Sequence, residues 1–283
     1  MIIHAVIYTL VVLSIFAGSV YISKKGKPYS LLLLCLSLIL GLSGYFLSIR
    51  PDLFTKILPF SWAIFYSNLY PFAAALFIPV AIRRAKTRFQ KARIIILCAA
   101  LFVITLIPFR DYLSKPPKIY DSKMDENGVC LQTSSDTCSA ASIVTLLGMY
   151  GIKTTEAEAS LLALTKEGRG TDRLGIYRAL KILTSHDKKF HVRIEKLTAD
   201  ELIRKNKPAI ITVGLVENPS TPQEKEMAAR FNWQPGAVHD VVFMGKDEKD
   251  PSRARIGEPQ FGLERWPRTA LDSLFKNIAI FPE

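Results

Sequence analysis

The chain has 283 residues, 49% of them hydrophobic, and a formal net charge of +12; that length has room for two units of ordinary size, and the apolar share leans toward a membrane protein. The charge is uneven, net +10 over residues 1–109 and net +2 over residues 110–283. The surplus sits in short loops between apolar stretches, with no stripe of Arg and Lys interleaved with aromatics, so nucleic acid is set aside as a partner and the cations read as membrane topology.

Four apolar segments follow in chain order, at residues 2–22, 30–49, 57–82 and 94–109, most of them near the roughly 20 residues a helix needs to cross the hydrocarbon core. The last is the shortest, but residues 94–107 are almost unbroken in Ile, Leu, Val, Ala and Phe and lie between Arg93 and Arg110. The third carries Pro59, Pro71 and Pro79 and is expected as a bent span, since neighbouring helices can re-satisfy a backbone that proline interrupts. Lys24, Lys25 and Lys27 fill the first loop, and Arg83, Arg84, Lys86, Arg88, Lys91 and Arg93 the third. Cations favour the cytoplasmic side, so both loops are expected inside and both termini outside. A cleaved signal peptide fits the first segment less well, because the positive n-region is missing and the cations follow the apolar run.

No span holds Asp, Glu, Lys or Arg in its interior, and ionisable groups at that depth are the usual mark of an ion path. The helices therefore read as an anchor in the lipid bilayer rather than a transporter. Asn68 and Tyr70 are the polar candidates for helix contacts, and His4 is expected at a membrane face. The expected organisation is an all-α four-span transmembrane region at 1–109, a linker at 110–120 that Pro116 and Pro117 hold extended, and a folded domain at 121–283.

That domain opens on a helix expected over 137–150, with Ala140, Ile143, Val144, Leu147 and Met149 on its apolar face and Gly151 ending it. Ser135, Asp136 and Thr137 are its N-cap candidates. Further helices are expected at 155–164 and 172–183, and a short one at 198–205. Strands rich in Val and Ile, bounded by turn residues, are expected at 190–195, 209–216, 238–244 and 254–258. Helices first and a sheet later make an α+β domain rather than alternating βαβ units.

A lone cysteine such as Cys138 is more often a buried structural residue than a reactive one. Its place in the first turn of a helix changes that, because the unpaired N–H groups and the dipole there favour a thiolate. A thiolate nucleophile also needs a base, a group that orients the base, and donors for the oxyanion. Outside the membrane half the histidines are His186, in a polar turn, His191, alternating within a basic strand, and His239, which follows Pro235 and Gly236 and opens an apolar strand. A side chain at such a strand start can project from the sheet edge into a cleft. If the hairpin of 238–244 and 254–259 turns between Glu248 and Lys249, His239 pairs with Glu258, whose carboxylate can orient the imidazole. Asp250 lies too far along, in the turn, and Asp240 points to the opposite face, where it is expected to be solvated or turn-facing. Gln132, six residues before Cys138, stands where a side-chain amide can donate to the oxyanion alongside the Cys138 N–H.

The segment Gln132-x5-Cys138-Ser-Ala-Ala, the helix end Met149-Tyr150-Gly151-Ile152, the stretch GRGTDRLGIYRAL at 168–180, His239-Asp-Val-Val and Glu258-Pro259 followed by Gly262 together resemble the bacteriocin-processing, double-glycine-type cysteine peptidases of the papain-like class. The resemblance covers about residues 125–283 and none of the membrane half. It implies a papain-like cysteine peptidase domain at 121–283, with Gln132 as oxyanion donor, Cys138 as nucleophile, His239 as general base and acid, and Glu258 at the position of the family's Asp-Pro aspartate. Three departures stand out: Glu for Asp at 258, Ser139 where Gly is common, and a longer insertion at 217–237 whose Phe231 and Trp233 suit either a substrate-selecting lid or a surface excursion.

The family's best-known members sit on the cytoplasmic side of an ATP-driven peptide exporter and cut leader peptides after Gly-Gly. This chain has no GxxxxGK[ST] loop, hence no ATP-binding domain, and its cations point the domain outward. The apolar spans and the charge rule therefore lead us to expect a multi-pass protein of the bacterial inner (cytoplasmic) membrane with the domain on the extracytoplasmic (periplasmic) side, and the resemblance adds a peptidase hydrolysing an exported or envelope peptide or protein through a Cys138 acyl-enzyme. Two alternatives stay open: transfer of the acyl group to an amine, and an inactive peptidase-like module that binds a peptide. Four Cys without close ligand clusters argue against a zinc site, and no cofactor is implied. Cys130 is read as a buried free thiol, against a regulatory disulfide with Cys138 that would distort the helix start; Cys35 and Cys98 read as packing at lipid depth.

Overall fold

The computed structural model describes residues 2–112, 115–215, 225–226, 228–229 and 236–282, the side chains of 2 and 101–112 excepted. The chain divides into two compact units, the first made of residues 1–58 and 62–114, the second chiefly of residues 115–283.

The first unit is helical: α1 (Ile2–Ser23), α2 (Lys27–Ile49), α3 (Pro51–Ile57), a 3-10 turn (Ala63–Tyr66), α4 (Tyr70–Arg84) and α5 (Arg88–Tyr112). Among the described residues three stretches, Ile3–Ser23, Lys27–Ile49 and Ala63–Arg84, are long and apolar enough to cross a membrane. Their outward faces carry Leu10, Leu13, Leu31, Leu38 and Ile39, each more than half exposed, a surface suited to hydrocarbon rather than water. The third expected span is not one bent helix from residue 57 onward. Pro59 falls in the irregular stretch after α3, and Pro71 in the first turn of α4, where its missing N–H has no helical partner to lose. Pro79 alone interrupts a helical ladder. The fourth expected span, 94–109, lies within the single helix α5, and its side chains from residue 101 on are outside the described residues.

Polar groups inside this unit find partners, as an apolar solvent requires. The Tyr8 hydroxyl donates to the Asn68 carbonyl at 2.6 Å and Ser37 Oγ to the Ala73 carbonyl at 2.8 Å. Asn68 thus makes its helix contact through its backbone, while its side-chain oxygen accepts the Tyr70 N–H at 3.2 Å. His4 stacks on Phe65, ring centroids 5.2 Å apart.

The second unit is α+β. A two-residue pair, β1 (Lys123–Met124) with β2 (Cys130–Leu131), leads into α6 (Cys138–Met149), α7 (Glu156–Ala163) and α8 (Arg173–Leu183). Then come β3 (Val192–Lys196), α9 (Ala199–Lys205), β4 (Ala209–Gly214), β5 (Val238–Lys246), β6 (Arg253–Glu258), β7 (Gly262–Pro267), α10 (Arg268–Leu274) and β8 (Phe275–Pro282). The sheet is antiparallel throughout, in the order β3-β8-β4-β5-β6-β7. β7, α10 and β8 lie beyond the elements expected from the sequence, and β8, the last strand, sits inside the sheet.

Both faces of the sheet are covered. On one, Ile211, Val213, Val241, Phe243, Ile256 and Trp266 meet Leu202 of α9 and Leu271 and Leu274 of α10; on the other lie α6 and α8, with Ile143, Leu146, Leu147, Ile176 and Leu180 fully buried. Every residue of β4 is buried as a result, which is why its sequence is apolar at every position but Thr212, whose hydroxyl is bonded to Asp240. Each such Val, Leu, Ile or Phe contributes roughly 1.5–3 kcal/mol by leaving water.

Helix starts are fixed locally. Thr155 caps α7, Asp172 caps α8, and Thr198 with Glu201 forms a complete capping box on α9. α6 differs: Thr137 is its N-cap residue but makes no capping bond, because its hydroxyl turns back to Ser134, accepting that residue's N–H at 3.2 Å and donating to its carbonyl at 3.0 Å. The first-turn N–H groups of the Cys138 helix therefore receive no side-chain cap.

Residues 115–120 are irregular, with Pro117 buried and the Lys115 carbonyl accepting the Glu167 N–H at 3.4 Å; the linker expected at 110–120 thus starts inside α5 and ends along the second unit. The expected insertion, 217–237, including Phe231 and Trp233, lies almost wholly outside the described residues.

Candidate active site

His239 is the second residue of β5, and Glu258 the last of β6. The strands pair antiparallel, with Val242 opposite Gly257 and Phe243 opposite Ile256, and the register shifts between Phe243 and Gly245. Continued to the strand end, that register sets Glu258 across from Val241 rather than His239. The expected pairing is therefore two residues out. A two-residue offset keeps side chains on the same face, and the diagonal neighbour is within reach of a long side chain. His239 Nε2 is hydrogen-bonded to Glu258 Oε1.

Glu258 is fully buried, and its other oxygen, Oε2, accepts the N–H groups of Gln260 and Phe261 at 2.7 and 2.8 Å. The His239 side chain is 12% exposed and feels both Glu258 and Cys138. Burial alone would drive the proton off His239; the hydrogen bonds and charges of Cys138 and Glu258 outweigh it and bring the pKa from 6.5 up to about 10. Three of the four expected site residues thus come together, a thiol, an imidazole and a buried carboxylate.

Gln132, the fourth, stands beside them. Its N–H donates to the Pro259 carbonyl at 2.8 Å, which ties the approach to α6 to the residue after Glu258. Its Nε2 donates to the Ser134 carbonyl at 2.9 Å, using one of the amide's two donor protons. Oε1 is buried and accepts from no protein group among the described residues. A buried carboxylate that the sequence does not single out braces the same segment: Glu156 of α7, fully buried, accepts the Thr133 N–H on Oε1 at 2.9 Å. In the sequence Glu156 reads as an ordinary acid in a helix's first turn.

Asp240 is neither solvated nor turn-facing, as expected from the sequence, but 8% exposed. It does leave the strand on the face opposite His239, where α6 covers it, and Ser139 and Thr212 donate their hydroxyls to its carboxylate at 2.6 and 2.9 Å. Burial pushes its pKa up, against those two bonds and the charges of His239 and Arg173. His186 and His191 are exposed. Asp250 holds the β5–β6 turn through Ser252 and Arg253.

Cys130 and Cys138 are both free thiols. Cys130 is fully buried, and burial, with the nearby charge of Glu156, pushes its pKa up to about 11 against a hydrogen bond from Ser122. It is therefore protonated and shielded, a poor partner for disulfide exchange.

No family model matches the chain, and no curated protein matches it. Among solved structures, one similar chain is described as the crystal structure of a double glycine motif protease from an AMS/PCAT transporter in complex with the leader peptide: 17% identity over 58% of this chain and 94% of that one, TM-score 0.41. Another is described as the peptidase domain of Streptococcus ComA, a bi-functional ABC transporter involved in a quorum sensing pathway: 22% identity over 58% of this chain and 99% of that one, TM-score 0.40. Likeness of that order says nothing of the chemistry.

Proposed function

We propose that the chain is a membrane-anchored, papain-like cysteine peptidase in which Cys138 attacks a peptide carbonyl and His239 and Glu258 serve it. The observation that carries this is the grouping of Cys138, His239 and Glu258, with the carboxylate fully buried and bonded to the imidazole, whose pKa both partners raise. A structural histidine has no need of both a buried carboxylate on its ring and a partly exposed thiol beside it.

In this reading the imidazolium faces a thiolate, which adds to the carbonyl carbon of the scissile bond. The oxyanion that forms lies at the uncapped start of α6, where the Cys138 N–H and the second Gln132 amide proton are its donors. His239 then gives its proton to the departing amine, leaving an acyl-enzyme thioester. Next it takes a proton from the water that hydrolyses the thioester, and the thiolate–imidazolium pair returns. Glu258 fixes the ring through Nε2 and balances its charge throughout, itself anchored by the Gln260 and Phe261 N–H groups. The domain faces outward from the membrane in this proposal, and its substrate is an exported or envelope peptide or protein.

The test is iodoacetamide labelling of Cys138 in the detergent-solubilised full chain, with peptide mass mapping to separate Cys35, Cys98 and Cys130. Fast labelling at pH 6 that is lost in His239→Ala is the expected result. Labelling that is slow at pH 6, rises only toward the ordinary thiol range of about 8.5 and ignores His239 would sink the proposal and leave an anchored peptide-binding module.

A further inference from the structure

The residue after the base carries a second buried carboxylate, one with no step in the acyl-enzyme chemistry. Asp240 Oδ2 accepts the Ser139 hydroxyl at 2.6 Å, Oδ1 accepts the Thr212 hydroxyl at 2.9 Å, and its carbonyl accepts the Ser142 hydroxyl at 2.9 Å. Ser139 and Ser142 are three apart on α6, hence on one face of it, and Thr212 is the cross-strand partner of Asp240 on β4. One residue of β5 thereby fastens the first two turns of α6 to the middle of the sheet. The bonded pair, Ser139 with Asp240, stands one residue along from the reactive pair, Cys138 with His239, on both elements.

We infer that Asp240 is a positioning residue for the nucleophile: held between Ser139 and Thr212, it sets the first turn of α6 at the height on β5 where Cys138 meets His239. The inference rests on the reading of Cys138 and His239 as the reactive pair. Apolar side chains can slide past one another with little loss, whereas a hydroxyl-to-carboxylate bond holds its two atoms within a few tenths of an ångström. Neither oxygen of Asp240 can be released without leaving a buried acceptor unfilled. The same carboxylate lies within the field of His239 and of Arg173 at the start of α8.

The experiment compares the full-length protein in detergent with Ser139→Ala, Asp240→Asn and His239→Ala, at a temperature where circular dichroism shows each of them folded. The readout is the ratio of Cys138 alkylation rates at pH 6 and pH 9, in which changes of mere accessibility cancel. Misplacing a reacting group by about 1 Å can cost on the order of a hundredfold, and the loss of one bond of the three is expected to lower that ratio about tenfold in Ser139→Ala and in Asp240→Asn. An unchanged ratio in both variants, with His239→Ala still losing its labelling at pH 6, overturns the inference and spares the reactive pair. A His239→Ala ratio equal to that of the wild type overturns both.

Discussion

Glu258 makes three contacts at once, and its length is what allows them. The register sets it diagonally from His239, so the carboxylate must cross to the next strand while keeping Oε2 under the N–H groups of Gln260 and Phe261. Glu258→Asp withdraws the carboxylate by about 1.5 Å, one carbon–carbon bond, so it gives up either the ring or the two N–H groups. A fall in Cys138 labelling at pH 6 together with a lower Tm is the expected outcome. Glu258→Gln keeps the length and removes the charge that holds the imidazolium; turnover, once a substrate is in hand, is expected to drop by about 10²–10⁴-fold with a smaller change in melting. The His239 pKa also has a stability consequence. Its folded value, about 10, lies above the ordinary 6.5, so its contribution to stability is complete below pH 6.5 and drains away as pH rises toward 10. The Tm gap between wild type and His239→Ala should therefore narrow from pH 6.5 to 9.5; a gap that widens would contradict the raised pKa. At this scale the sequence was informative about faces and silent about covers. A period of two puts His239 and Glu258 on one side and Asp240 on the other whatever the register. That Ser139, a hundred and one positions earlier, lies over Asp240 is a tertiary fact no local pattern encodes.

Elements with their own start signals were legible: α7, α8 and α9 begin at Thr155, Asp172 and Thr198, each of which caps its helix. β8 was not. It follows α10 with no turn between them, and Asn277 takes a left-handed φ of 59° inside it, which breaks the alternation that marks a strand. Its central place comes from pairing with β3 and β4, far back in the chain. The element that aims the base has a test of its own. Gly214 ends β4 opposite Val238, and a methyl group there would lie 2.4 Å from the Ala237 carbonyl, two residues before His239. Gly214→Ala must push the start of β5 away, at a cost of about 1–3 kcal/mol and with a loss of labelling at pH 6. Thr198→Ala is the contrast. It removes the capping box of α9, on the far side of the core from Cys138, and is expected to cost about 1 kcal/mol in urea unfolding while the ratio of labelling rates stays that of the wild type.

For the whole molecule, the side of a membrane on which the proposed peptidase unit would work is a question of parity. The cations of the first and third loops, Lys24, Lys25 and Lys27 and then Arg83 to Arg93, are expected inside. Three crossings, by the candidate spans Ile3–Ser23, Lys27–Ile49 and Ala63–Arg84, would then leave the chain inside the cell at residue 84. α5 decides the rest. If this helix, which starts among Arg88, Lys91 and Arg93, crosses as well, the unit beyond residue 115 lies outside; if it rests at the cytoplasmic face, the unit lies inside. A single cysteine reports the answer: Ser185, exposed in the turn after α8, replaced in a Cys138→Ala background and treated in intact cells with a membrane-impermeant maleimide. Labelling before permeabilisation is the outcome expected for a fourth crossing and an enzyme acting on exported chains. Labelling only after permeabilisation would make α5 a surface helix, put the active site in the reducing cytoplasm and exclude envelope proteins as its substrates, while leaving the chemistry of Cys138 and His239 intact.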